Sequence, residues 1–128
     1  MKQVVTASCS VGEAVERLTE ALKARKFGVL HVHDLKATLN SKGVPFEAEC
    51  QVMEVCNPQQ AARVLADDID LNMALPCRVS VYEKDGVTRI GMLSPKAMLE
   101  ELSDSAALRT VAAEVEDVLH MAIAEAAT

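Results

Sequence analysis

The order of elements in this 128-residue chain predicts an α+β domain, a mixed, mainly antiparallel sheet packed against helices. Three observations carry that expectation. Two alternating strands flank Asp85-Gly86, a strong hairpin signal. The helical segments are scattered rather than alternating regularly with strands, as a doubly wound fold would require. No glycine-rich phosphate loop is present. The length suits a single domain over residues 1–128, large enough to bury a core without disulfides or a metal.

"KQVVTAS" reads as a β-rich first strand. "CSVGEAVERLTEALKARKFG" reads as a helix: Ser10 and Glu13 fit a capping box, and Val11, Ala14, Val15, Leu18, Ala21 and Leu22 share one face. Gly28 stands where a left-handed C-cap is expected. "GVLHVHDL" is the second strand, with Leu30 and Val32 on one face and Val29, His31 and His33 on the other. Asp34 caps a short helix ending at Gly43. "FEAECQVMEVC" is a longer third strand, whose parity puts Phe46, Ala48, Cys50, Val52 and Cys56 on the more apolar face.

Asn57 is a favoured N-cap, Pro58 suits the first helical position, and Gln60 completes a capping box. Ala61, Ala62, Val64 and Leu65 form the buried side of that helix, and "ADDIDLNMALP" is an irregular connection. After the hairpin, Pro95 leads a short helical turn. Residues 104–127 form an amphipathic helix with Leu108, Val111, Val115, Val118, Leu119, Ala122 and Ile123 in helical spacing.

Composition narrows the function classes. The only aromatics are Phe27, Phe46 and Tyr82, so the core is aliphatic. A net charge of −6 without a Lys/Arg stripe excludes the usual footprint of a nucleic-acid binder. So few aromatics make a poor platform for stacking bases. No stretch approaches the ~18 apolar residues of a membrane span, and no signal-peptide pattern opens the chain. A cytoplasmic location is the expectation, with Cys9, Cys50, Cys56 and Cys77 reduced. Their spacing gives no C-x-x-C pair and no zinc-ribbon pattern.

Two short segments stand out: Glu54-Val55-Cys56-Asn57-Pro58, and Leu75-Pro76-Cys77-Arg78-Val79 about twenty residues later. With "FGVLHVHDLKATLNSKG" they resemble the bacterial and archaeal family called domain of unknown function 302, over about residues 6–95; His33 lies outside that pattern. The resemblance implies a small sandwich of the TATA-binding-protein-like class and a homodimer. It implies no particular activity and no cofactor.

Cys56 stands just outside the Asn57 cap, where the partial positive charge of a helix N-terminus favours a thiolate. It is a candidate nucleophile, persulfide carrier or metal ligand. It is equally a small side chain packing on Ala61 or Ala62, the reading burial statistics favour. Cys77 shares parity with Val79 and Val81 and reads as a core residue, unless its strand brings it to Cys56. His31 and His33 form H-x-H on one strand face, weak metal candidates because two histidines do not make a firm site. His120 reads as a surface or dimer-contact residue, and Asp67, Asp68 and Asp70 as a solvated loop lacking the EF-hand pattern.

Two functions follow. The first is a homodimeric module binding a small ligand, metal or protein partner near Cys56, Asn57, Pro58, Cys77 and His31. The second is thiol chemistry, redox or sulfur transfer, with Cys56 as the reacting group and Cys77 resolving it. No serine-hydrolase or zincin motif is present to support another enzyme class.

Overall fold

The computed structural model describes residues Met1–Thr128. Five strands, β1 (Lys2–Thr6), β2 (Gly28–Asp34), β3 (Cys50–Cys56), β4 (Cys77–Lys84) and β5 (Val87–Leu93), form one sheet in the order β1-β5-β4-β3-β2. Every pairing is antiparallel, so the expected parallel component is absent. The helices are α1 (Val11–Ala24), α2 (Leu35–Ser41), α3 (Pro58–Asp67), α4 (Pro95–Leu102) and α5 (Ala106–Ala127). The connection between α3 and β4, expected to be irregular, contains a three-ten helix at Ile69–Ala74. Asp68 caps it by accepting from the Asp70 N–H at 2.9 Å, and fully buried Leu71 anchors it.

The core lies between the sheet and the α1–α5 layer. Leu18 and Leu22 of α1, and Leu119 and Ala122 of α5, pack in one cluster with Met53, Val55, Val79, Val81 and Ile90 of the strands. Both helices bury the faces their periodicity predicts, although Val15 and Val118 are only half-buried. No helix is long and apolar enough to cross a membrane.

Local signals set most boundaries. Ser10, Asp34, Asn57, Ser94 and Ser105 each cap a helix through the side-chain oxygen. Neither expected capping box closes, because the acceptor oxygen of Glu13 or Gln60 takes an arginine instead, Arg17 or Arg63. Glu13 pairs with Arg17 at 3.5 Å, and Gln60 donates to Glu114 at 3.2 Å. Asp85 (φ 54°) and Gly86 (φ 76°) make the hairpin turn. α1 ends differently from expectation. Lys26, not Gly28, takes the left-handed conformation (φ 65°), because buried Phe27 must fold back and its N–H donates to the Leu22 carbonyl at 2.9 Å. Gly28 begins β2.

Four further expectations are corrected. β3 starts at Cys50 rather than Phe46, because Asn40 holds the Phe46 backbone from both sides, at 3.0 and 3.2 Å, and occupies groups a strand would need. The helix-covered face of β3 carries Met53 and Val55, both fully buried, not Cys50, Val52 and Cys56. Parity alone misassigned it because this interior strand is apolar on both faces. In β2 a bulge between Val29 and His31 shifts the alternation. Val29 and Val32 therefore both pack on the core, while Leu30 is 62% exposed. α3 is also less buried than its pattern suggests: only Val64 is fully covered and Ala62 is exposed.

Candidate functional site

Strand alternation gives the sheet a second, open face, and register lines its side chains into rows. The central row runs Val4, Gly91, Ser80, Val52, His33 across all five strands. On one side of it lie Thr6, Arg89, Tyr82 and Cys50. On the other, Lys2 pairs with Leu93, and Arg78 with Glu54 and then His31. Extending the Ser80–Gly91 register by two residues sets Arg78 beside Leu93. The lysine and arginine therefore stand two strands apart, roughly 10 Å between backbones.

A groove of about 460 Å³ opens over the central row and the row of Lys2, Leu93 and Arg78. Its floor is Val4, Gly91, Ser80 and Val52, and its far wall is Met73, Leu75, Pro76, Pro95 and Met98, from the three-ten segment and α4. Gly91 is itself buried, and Val4 closes over it. A Cβ there would lie 3.1 Å from Val4 Cγ2 and 3.3 Å from the Gln3 carbonyl oxygen. Lys2 and Arg78 line the groove, no acidic side chain does, and neither cation belongs to an ion pair of the chain. Arg89, one row away, has its Nε buried without a hydrogen-bond partner.

The residues singled out in the sequence divide around this groove. Cys77 lines it; Cys56, Asn57, Pro58 and His31 do not. Asn57 is occupied as the α3 cap, its Oδ1 accepting from the N–H groups of Gln59 at 3.0 Å and Gln60 at 3.1 Å. Cys77 pairs in register with Val55, so Cys56 is its close neighbour. Burial pushes the Cys77 thiol up from 9.0 to about 11, and the Cys56 thiol beside it adds to the rise. Burial also pushes Cys56 up. Desolvation thus acts against the thiolate at both positions. All four cysteines are free and partly exposed.

His31 and His33 do share a face, with ring centroids 4.3 Å apart in an edge-to-face arrangement. His33 Nε2 lies 3.2 Å from Glu54 Oε2. No group of three His, Cys, Asp or Glu side chains is arranged to hold a metal ion. His120 is exposed on α5. Asp67 accepts from the Ser105 hydroxyl at 3.0 Å, and Asp68 caps the three-ten helix, so this acidic run has local structural work.

Sequence reasoning missed Lys2, Ser80, Tyr82, Gly91, Met73 and Met98 as groove residues. They come from five separate elements that only the tertiary fold assembles. Arg78 was the one legible signal, a lone cation between the inward-facing Cys77 and Val79.

Fold and groove together define a two-layer α+β protein, helices on one face of an antiparallel sheet and a small-molecule-sized depression on the other. The chain belongs to the family described as Domain of unknown function DUF302, whose sequence profile matches residues 3–126 and so takes in α5 as well as the motif region. It is similar to the uncharacterized conserved protein DUF302 from Bacillus stearothermophilus in its crystal structure. Identity is 36% and the TM-score 0.92, over 98% of this chain and 97% of that one. None of the curated proteins matches the chain.

Proposed function

We propose that the chain is a non-catalytic binding module that holds a small molecule in the groove over Val4, Gly91, Ser80 and Val52, against the Pro76-Cys77 segment. The observation that carries this reading is the groove itself. Its volume of about 460 Å³ falls within the ~300–1,000 Å³ of small-molecule sites. It has an apolar majority, eleven of seventeen lining residues, with its two cations, Lys2 and Arg78, at one end. The groove contains no nucleophile–base pair, since its one thiol has no histidine or carboxylate among the lining residues. The reading takes the working unit as a cytoplasmic homodimer. Leu30, 62% exposed on edge strand β2, is an apolar side chain that a second copy would cover.

Thermal-shift screening of a metabolite library tests the proposal, using wild type and Ser80→Phe, a variant that fills the groove. Compounds that raise Tm in wild type but not in the folded variant support it. Compounds acting equally on both place binding elsewhere and refute it.

Thiol chemistry at Cys56 and Cys77 is the second reading. The adjacency of the two residues favours it. The upward displacement of both thiols weighs against it.

A further inference from the structure

We infer that the groove's ligand is an amphipathic acid, an aliphatic chain ending in a carboxylate, with the chain on the apolar floor and the carboxylate between Arg78 and Lys2. This inference rests on the binding-module reading above.

Charge selects the headgroup. The protein carries a net −6, yet the groove holds two cations and no acid. Arg78 stands opposite Glu54 in β3, and that carboxylate lies 3.2 Å from His33 Nε2 instead of pairing with the guanidinium. Arg78 is exposed, so its planar fork of donors is free to take a carboxylate in the bidentate manner. Lys2 approaches the same end of the groove from β1. Leu93 lies between the two cations and gives the headgroup an apolar neighbour.

Shape selects the body. Val4, Ser80 and Val52 give the floor short side chains along which a flexible chain can lie. The wall carries Met73, 77% exposed, and Met98. Unbranched thioether side chains adapt to aliphatic ligands of differing length. Tyr82 is the single aromatic lining residue, so the groove offers no sandwich for a flat heterocycle.

The test is isothermal titration with dodecanoate, dodecanol and dodecyltrimethylammonium below their micelle concentrations, with oligomeric state followed by sedimentation. Dodecanoate is expected to bind at least about tenfold more tightly than dodecanol, the scale of one charge-assisted contact. The quaternary amine is expected to bind more weakly than either. Arg78→Gln should remove most of that tenfold preference and leave dodecanol affinity unchanged. Lys2→Gln, also at an exposed position, should reduce the preference in part. Equal binding of acid and alcohol would overturn the inference while leaving a ligand groove in place. Binding of none of the three, with hits of another class in the thermal-shift screen, would also overturn it alone. Binding of no small molecule, with a dimer that Ser80→Phe converts to monomer, would overturn both readings and make the groove an interface between copies.

Discussion

Arg78 and Glu54 face each other in register on adjacent strands, and they are not an ion pair. Glu54 is committed to His33 at 3.2 Å. The consequence is an arginine left free at the mouth of an apolar groove. On an ordinary solvated sheet face, cross-strand charges neutralise each other, and here Arg78 is not neutralised in that way.

The face assignments of β3 and β2 have a direct mutational signature. Met53→Ala should destabilise the fold by about 2–5 kcal/mol, because a fully buried side chain leaves a cavity. Leu30→Ala, at a 62% exposed position, should change stability by less than about 0.5 kcal/mol. Urea denaturation of both variants checks this. A reversed order would restore the parity read from sequence alone.

Gly91 tests how closely β1 packs over β5. Its alanine variant sets a Cβ 3.1 Å from Val4 Cγ2 and 3.3 Å from the Gln3 carbonyl oxygen. The edge strand β1 has to shift to admit it. The expected cost is about 1–3 kcal/mol, measured by urea midpoint at unchanged slope.

Asn57 caps α3 and lies outside the groove proposed as the site. Asn57→Ala should cost about 1 kcal/mol and Asn57→Asp much less, since the carboxylate also accepts from the Gln59 and Gln60 N–H groups. Ligand-induced Tm shifts should survive both changes. Their loss in a folded Asn57→Ala protein would move the site back to the Cys56-Asn57-Pro58 segment.

Cys77 carries a pH dependence. Its thiol ionises near 9.0 when solvated and near 11 in the folded chain. The folded state therefore binds the proton more tightly than the unfolded state. The associated stability is fully present below pH 9 and is lost as pH rises through 11, by up to about 3 kcal/mol at ~1.4 kcal/mol per pKa unit. Urea melts at pH 8 and pH 10.5 should show that loss in wild type beyond the loss in Cys77→Val. Identical pH dependence in the two proteins would contradict the burial of this thiol.

The sequence made the secondary structure legible where a local rule governed it. The caps at Ser10, Asp34 and Asn57 and the turn at Asp85-Gly86 are fixed by groups within three residues of each other. It misled where long-range contacts decided. The bulge beside Leu30 depends on pairing with β3. The inward face of that strand depends on where α1 and α5 pack. The start of β3 depends on Asn40, six residues upstream of Phe46 and on a different element. Of the candidate site residues, Cys77 reached the groove, because the Pro76-Cys77 segment forms one end of it. Cys56 drew notice for its place before a helix. The desolvation it meets at the sheet's end belongs to the tertiary structure.

Native mass spectrometry of wild type and Ser80→Phe, purified without added reductant or chelator, tests the central claim most directly. Wild type is predicted to retain a small-molecule mass that collisional activation releases, and the folded Ser80→Phe protein is predicted to lack it. The same extra mass on both proteins, or a covalent sulfur adduct on Cys56 in place of a releasable ligand, would contradict the account.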